Sequence, residues 1–467
     1  MRKIKVNVIK RCCNIPEEKL FRVYPIIGLI LGMIFSLLIP IRTVPDETFH
    51  VAQAYEVSNK ILGTSGGNEN IVMRNDDRTH YLQYKPYSKA QFKAYWASLN
   101  DPLKDSKMVR FGIPVTGHAY PYFIAGIGIA AGRLLKTGTG ITLSLGRLFN
   151  LIFFVICGTI TLRVIPFAKR LMFLLLLMPM TVQQGMSYSY DVLVIAVSFL
   201  SIALFLRLNY DDTISIKKQK AGTIILFVLA LLLAPIKSHA YILFMFLPVY
   251  TLMHFIAGDR KEKIWKIFWN VVKILVAAFI VLWFVAWRVP EFIPEKANYI
   301  AWAKADGYSI TVLLHHPVRT IVVMVGSLIQ FWEYHFVETL IGGSLGSLLV
   351  NLPGIFKITF LFMILLASFR AQSSDIKLRK KTKIVFFWVA LLTVICIAVG
   401  MLISWTPLSS NVILGIQGRY YIPVIFMFLI LLNNDEIRVS DRIQSVLPSI
   451  AIVTDLAAAA YIYLSAV

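Results

Sequence analysis

The chain has 467 residues, of which 57% are hydrophobic and 15% are charged. Soluble domains carry about 25% charged residues, so this composition excludes a soluble globular protein and indicates one that crosses the membrane many times. The formal net charge of +22 comes mostly from short Lys and Arg clusters between apolar runs. The positive-inside rule explains that distribution, and nucleic-acid binding is not expected.

Residues 1–22 form a basic tail, which predicts a cytoplasmic N-terminus. Residues 24–40 are apolar and lack a small-residue cleavage site, so they are predicted to be an uncleaved first span that runs outward. Residues 42–141 are then a large first extracytoplasmic loop with helices along the membrane surface. A connection of that length is usually functional.

The loop opens on a motif that contains Pro45, Asp46, Glu47 and His50. Pro45 is predicted to be the first helical residue, which puts both carboxylates in the first turn. At helical spacing Asp46, His50 and Gln53 share one face. Such a face could take a proton from a hydroxyl or hold a divalent cation. Alternatively, the acids only complement the helix terminus and pair with His50.

Residues 141–165, 171–182 and 192–206 are predicted to be further spans. A polar stretch between the last two returns to the side of Asp46 and contains Gln184, Tyr188 and Asp191. Asp191 fits two roles equally well, a second site carboxylate or the N-cap of the next helix.

Residues 221–256 are predicted to be two helices joined by an external turn with Lys237 and His239. Spans are also predicted at 268–287, 353–369, 384–405 and 445–464, while 318–352 is either a broken hairpin or a re-entrant segment. Arg419 and Tyr420 open an inward helix near the outer boundary. Lys237 and Arg419 either snorkel to the headgroups or neutralise a phosphate leaving group.

The whole chain is thus predicted to be one all-α polytopic membrane domain with roughly 11 to 13 spans, at about 20 residues for each crossing. The four cysteines show no disulfide or metal-binding spacing. The sequence has no Walker motif, no G-x-G-x-x-G and no H-E-x-x-H. Nucleotide use is therefore not expected, and a donor delivered through the membrane fits better.

The motif from Pro45 to Tyr55 resembles the P-D-E-x-x-H-x-x-x-A-Y signature of a family of bacterial membrane proteins of unknown function, and the segments 179–191 and 418–423 resemble its other conspicuous stretches. That family is similar to the GT-C glycosyltransferases. The resemblance covers nearly the whole chain and implies an enzyme that uses a polyprenyl-phosphate-linked sugar. By position, the two acidic sites of GT-C enzymes match Asp46 or Glu47 and Asp191, although the first acids are adjacent here and do not form D-x-D.

We therefore expect an inverting GT-C-like glycosyltransferase in the bacterial plasma membrane, with its active site facing outward and a cell-envelope glycan, lipid or protein as acceptor. Asp46 and Glu47 are the candidate catalytic residues, and Asp46 and Asp191 the candidate ligands of Mg²⁺ or Mn²⁺. The candidate substrate-binding residues are expected to line one outward-opening chamber; they are His50, Gln184, Tyr188, Asp191, Lys237, His239, Arg419 and Tyr420. Three alternatives stay open: a lipid-diphosphate-dependent glycan polymerase or ligase, a transporter or flippase of lipid-linked glycans, and a scaffold without activity.

Overall fold

The computed structural model describes residues 14–67, 70–82, 88–115, 119–256, 294–374 and 376–466, with isolated positions between 270 and 285. The first part of the predicted basic tail and almost all of the predicted span 268–287 lie outside these residues. The described chain is mostly helical, as predicted.

Helices occur in both halves of the sequence. Up to residue 256 they are Leu20–Leu38 (α1), Glu47–Leu62 (α2), Asn75–Leu82 (α3), Lys89–Ser98 (α4), Phe123–Leu134 (α5), Thr139–Val164 (α6), Lys169–Leu177 (α7), Pro179–Gly185 (α8), Asp191–Tyr210 (α9), Ile216–Leu233 (α10) and Phe246–Ile256 (α11). The later helices are Ile310–His315 (α12), Pro317–Gln330 (α13), Gly354–Ser368 (α14), Lys380–Trp405 (α15), Ile422–Leu429 (α16) and Asp441–Ala466 (α17). Short 3-10 helices occupy Glu17–Lys19, Tyr120–Tyr122, Ala240–Met245, Gly418–Tyr421 and Ile430–Leu432, and Tyr334–Ile341 is π-helical.

Among the described residues, four small two-stranded sheets join loops. The first three are antiparallel and pair Val72–Arg74 (β1) with Met108–Arg110 (β2), Asn298–Ile300 (β3) with Ala305–Gly307 (β4), and Ser344–Leu345 (β5) with Val350–Asn351 (β6). The fourth is parallel and pairs Arg370–Ala371 (β7) with Arg438–Val439 (β8).

Five of the described helices are long and apolar enough to cross a membrane. They are Glu17–Leu38, Thr139–Val164, Asp191–Tyr210, Lys380–Trp405 and Asp441–Ser465, and each coincides with a predicted span. A sixth is added if the bent pair Pro317–Gln330 and Tyr334–Ile341, which turns by 62°, counts as one. The described residues therefore confirm a membrane protein with several spans and hold fewer long apolar helices than the 11 to 13 spans predicted.

One predicted span is wrong as a single helix. Residues 171–182 are divided between α7 and α8, because Met178 is extended (φ −53°, ψ 131°) and Pro179 begins a new helix. Proline lacks the N–H that would continue α7, and it favours an extended conformation in the residue before it. Every residue from Leu171 to Leu177 is buried, so this apolar run is the interior of a helical cluster.

The segment 318–352, whose topology the sequence left open, is a helix broken at residues 331–333 and followed by a hairpin. Ser347 and Leu348 have φ values of 56° and 65° and form the left-handed turn between β5 and β6. The hairpin contacts earlier parts of the chain, since Gly346 N–H donates to Gln183 Oε1 at 2.8 Å and Ser347 Oγ donates to the carbonyl of Thr43.

The chain divides into two compact units. The first comprises Met1–Ala203, Val337–Leu378 and Leu429–Val467, and the second comprises Leu204–Phe336 and Arg379–Phe428. In the first unit α7 packs against α1, α14 and α17. In the second, α10 and α15 both pack against the 3-10 helix Ala240–Met245.

Glycines let α5 lie close to both of its neighbours in the first unit. A Cβ on Gly126 would lie 2.5 Å from the Val57 side chain of α2, and one on Gly132 would lie 2.8 Å from Thr142 Cα of α6. Small residues at such contacts allow close backbone approach. The orientation of α2, which carries the acidic motif, is thereby set by α5.

Replacing Gly128 by alanine tests this packing. The new Cβ would lie 2.4 Å from the Leu145 carbonyl oxygen and 2.8 Å from Gly146 Cα, and neither backbone atom can move independently of α6. We expect a loss of about 1–3 kcal/mol of stability, seen as a lower thermal midpoint in detergent. In the matched control Gly400→Ala the Cβ meets no described atom within 4 Å, so stability should hold or rise by up to about 1 kcal/mol.

A buried ion pair between Arg74 and Asp77 holds the C-terminal half of α2 in place. Arg74 Nε donates to Asp77 Oδ2 at 2.7 Å, and both side chains are at most 4% exposed. Asp77 also accepts from Tyr55 Oη of α2 at 2.6 Å and from Thr139 Oγ1 of α6 at 2.7 Å. Burial and the neighbouring Asp77 carboxylate raise the pKa of Tyr55, which stays protonated and donates. The tyrosine of the signature is therefore structural.

Candidate functional site

The candidate residues fall into two groups, one in each unit. Asp46, Glu47, His50, Gln184, Tyr188 and Asp191 belong to the first unit, and Lys237, His239, Arg419 and Tyr420 to the second. That both groups line one chamber stays a prediction.

Glu47, the first residue of α2, is buried, and both of its carboxylate oxygens accept hydrogen bonds. Arg147 Nε donates to Oε1 at 2.9 Å and Arg147 Nη2 to Oε2 at 2.6 Å. The backbone N–H of Arg42 donates to Oε2 at 2.6 Å and that of Tyr188 to Oε1 at 3.1 Å. A carboxylate offers about four lone-pair positions, so these four bonds use them all.

Arg147 is equally occupied. Its side chain is 0% exposed, and its Nη1 donates to the carbonyl of Ile39 at 2.5 Å while Nη2 donates to that of Pro40 at 3.1 Å. The pair therefore joins the end of α1, the start of α2 and the stretch before α9. This arrangement favours a structural role for Glu47, and the catalytic role expected from sequence stays a prediction. An arginine inside an apolar run is the signal that could have identified its partner.

Asp46 faces the opposite way from Glu47. It is exposed and has left-handed backbone angles, φ 62° and ψ 1°, at the N-cap position of α2, with no capping bond from its side chain. The helix therefore begins two residues after Pro45, and the prediction that Pro45 is its first residue is wrong. Aspartate tolerates the left-handed region better than most residues. The turn directs one carboxylate of the pair inward and leaves the other accessible to solvent.

His50, one turn further along α2, contacts two tyrosines. Its Nδ1 is 2.9 Å from Tyr122 Oη, and its ring lies edge-on to Tyr190 with the centroids 5.0 Å apart. His50 is 5% exposed. Neither tyrosine lies at a helical spacing from His50 that would have predicted these contacts. Gln53, on the same face, donates from Nε2 to the carbonyl of Pro114 at 3.0 Å.

Tyr122, which contacts His50, interacts electrostatically with two carboxylates. Burial raises the pKa of Tyr122, and the negative charges of Asp191 and Asp46 raise it further. Tyr122 therefore stays protonated at neutral pH. Asp191 is 3% exposed and is the first residue of α9, where the helix dipole favours its charge. The structure thus brings Asp46, His50 and Asp191 into one neighbourhood around Tyr122.

Gln184 and Tyr188 lie in the packed interior. Gln184 is 0% exposed, and its Nε2 lies 3.5 Å from Met180 Sδ. Tyr188 is 1% exposed and donates from Oη to the carbonyl of Leu143 at 2.5 Å. Burial raises the pKa of Tyr188 well above its ordinary value. Both side chains are packed inside the first unit, and their predicted contacts with substrate stay a prediction.

In the second unit two cations contact one tyrosine ring. Lys237 Nζ lies 3.3 Å from the centroid of Tyr420, and Arg419 Cζ lies 5.3 Å from it. Arg419 is 2% exposed, and Tyr241 Oη donates to the Tyr420 carbonyl at 2.9 Å. Cation–π contacts of this kind hold positive charge where hydration is incomplete.

The turn that carries Lys237 is strained. Lys237, Ser238 and His239 have φ values of 49°, 54° and 67°, a conformation that L-residues other than Gly, Asn and Asp seldom adopt. His239 is exposed on this turn. Strained backbone often occurs where a side chain must be held for function. The second unit therefore carries a fixed cluster of positive charge next to an exposed histidine.

A family model described as "Predicted membrane protein (DUF2142)" matches residues 29–428. The chain belongs to the DUF2142 family. The match covers both groups of candidate residues in this DUF2142 protein. No curated protein and no solved structure matches the chain.

Within the described ranges of this DUF2142 protein, no three His, Cys, Asp or Glu side chains are arranged to hold a metal ion. Asp46 and Asp191 supply two carboxylates. Mg²⁺ usually needs only one or two carboxylates, with waters and substrate oxygens completing its shell. That Asp46 and Asp191 together hold such an ion stays a prediction.

Proposed function

We propose that this protein is a membrane glycosyltransferase, similar to the GT-C enzymes, that moves a sugar from a polyprenyl phosphate to a cell-envelope glycan, lipid or protein on the extracytoplasmic face. The main observation in support of the proposal is that the two adjacent acids, Asp46 and Glu47, have different environments. Glu47 is bonded on every side, while Asp46 is turned out to solvent beside His50, Tyr122 and Asp191. A general base must reach the proton that it removes, and Asp46 meets that requirement.

In this proposal Asp46 takes the proton of the acceptor hydroxyl as its oxygen attacks the anomeric carbon. The bond from that carbon to the phosphate oxygen breaks, and the lipid phosphate leaves with the bonding electrons. Asp191, held at the helix N-terminus, and His50, fixed by Tyr122, orient the groups around Asp46. Asp46 and Asp191 are the residues that would hold a divalent cation, which would supply positive charge for the phosphate.

The second unit supports the choice of a phosphorylated donor. Departure of a lipid phosphate needs positive charge at the leaving group, and Lys237 and Arg419 provide two cations held against Tyr420. Guanidinium groups suit phosphate oxygens because they donate two parallel hydrogen bonds. These residues are therefore the proposed donor-phosphate ligands.

A donor assay tests the proposal. Protein reconstituted in liposomes with Mg²⁺ and envelope acceptors is given radiolabelled sugars linked to polyprenyl phosphate or to polyprenyl diphosphate. We expect label to move to the acceptor from the monophosphate donor alone. Transfer from the diphosphate donor alone would favour a polymerase or ligase. Movement of intact donor across the bilayer without bond cleavage would favour a flippase.

A further inference from the structure

The first unit contains a second polar region, a cavity of about 620 Å³ at the end of α1 remote from Asp46. A helix of this length places the two ends about 28 Å apart. The cavity is lined by residues 16–18, 166–170, 367–371, 373–374, 376, 430, 433 and 444. Three candidate spans end beside it, Glu17–Leu38, Thr139–Val164 and Asp441–Ser465. It therefore lies at a membrane boundary, and its volume is typical of small-molecule sites.

Two arginines line this cavity. Arg370 is 6% exposed and pairs with Asp435. The Arg170 side chain is 11% exposed, and its Nε is buried without a hydrogen-bond partner among the described residues. A buried donor that is left unsatisfied destabilises the protein. A ligand that accepts from Arg170 would relieve that destabilisation.

Glu17 now occupies the place where an anion would bind. Its Oε1 accepts from the backbone N–H of Lys169, the first residue of α7, at 3.0 Å. Its Oε2 lies 3.3 Å from Arg170 Nη1. The N-terminus of a helix favours an anion through its free N–H groups and its dipole. The Glu17 side chain is 31% exposed.

We propose that the cavity binds a phosphate group, which displaces Glu17 from the start of α7 and is held by Arg170 and the Lys169 N–H. A phosphate monoester has three terminal oxygens, one more than the Glu17 carboxylate, and the third can accept from the Arg170 Nε. Gln444 also lines the cavity, and its Oε1 accepts from Arg170 Nη1 at 3.4 Å, which helps to hold the guanidinium in place. The phosphate comes from a lipid headgroup at the boundary or from a soluble phosphate monoester. The site is separate from the proposed transfer site and does not depend on it.

Binding of two matched probes to the full-length protein tests the proposal. Glycerol 3-phosphate is titrated in detergent, and phosphatidic acid, which carries the same headgroup on lipid tails, is titrated in nanodiscs. We expect Arg170→Gln to weaken binding about tenfold because a charge-assisted bond is lost. Glu17→Gln should strengthen it about three- to tenfold, since the competing carboxylate loses its charge. Arg207→Gln, which alters an exposed pair with Asp211, should leave binding unchanged.

Arg170→Gln is expected to weaken binding and Glu17→Gln to strengthen it. These opposite effects distinguish a specific binding site from general attraction of phosphate to a basic surface. Binding of phosphatidic acid alone assigns the lipid headgroup, and binding of both probes assigns a soluble phosphate as well. If Arg170→Gln does not fold, the gain expected for Glu17→Gln decides the matter. Failure of the wild type to bind either probe, or equal affinity in Glu17→Gln and wild type, would overturn the proposal. Neither result depends on whether sugar transfer is observed.

Discussion

Replacement of Asp46 by asparagine is expected to reduce sugar transfer by about 10²- to 10⁴-fold, the usual contribution of a general base. Asparagine has nearly the same shape and tolerates the left-handed angles of this position, φ 62°. The variant should therefore keep the thermal midpoint of the wild type while it loses the base. Transfer from a polyprenyl-phosphate donor and thermal unfolding in detergent are the two measurements.

Two further variants test whether the effect of Asp46→Asn comes from the loss of this particular carboxylate. Asp46→Gly removes the carboxylate at a position that suits glycine, and it should match Asp46→Asn in activity. Asp212→Asn removes an exposed carboxylate from a distant loop and should change neither measurement. Unchanged transfer in Asp46→Asn would remove this residue from the mechanism.

Replacement of Glu47 by glutamine is expected to act on stability. It leaves the guanidinium of Arg147 buried at 0% exposure without its counter-charge. Breaking a buried ion pair by removing one partner costs about 3–5 kcal/mol. We therefore expect a large drop in thermal midpoint and in the yield of folded protein, with transfer lost in proportion to the folded fraction.

An exposed pair provides the control for Glu47. Arg207 and Asp211 lie 3.6 Å apart with side chains 43% and 25% exposed, and such pairs contribute about 0–1 kcal/mol. Asp211→Asn should therefore change the midpoint little. If Glu47→Gln instead loses transfer at an unchanged midpoint, Glu47 takes part in the chemistry and the structural role assigned to it here is wrong.

The long spans were predictable because composition alone determines them. The helix of residues 139–164, for example, is 26 residues long, and the predicted span began and ended within two residues of it. The buried helix Lys169–Leu177 was not predictable in the same way, because periodicity does not distinguish a helix surrounded by protein from one surrounded by lipid. Pro179 marked the break, but its effect depends on the conformation of Met178.

The candidate site was predictable in its residue types and less so in their roles. Asp46, His50 and Asp191 were expected to act together, and they do lie around Tyr122. The adjacent acids could not be told apart from sequence, since the role of Glu47 depends on Arg147, which is a hundred residues away. Two of its four hydrogen bonds come from backbone N–H groups. Every residue except proline has such a group, so the sequence does not indicate which ones will bind Glu47.

The first unit is assembled from three stretches of chain, the last of which is Leu429–Val467. During biosynthesis α7 is made well before α17, which packs against it and follows only after residues 178–440. The parallel pairing of β7 with β8 likewise waits until Arg438 and Val439 have been made. Until then the leucine-rich helix α7 lacks one of its packing partners, and lipid or an insertion factor could cover that face.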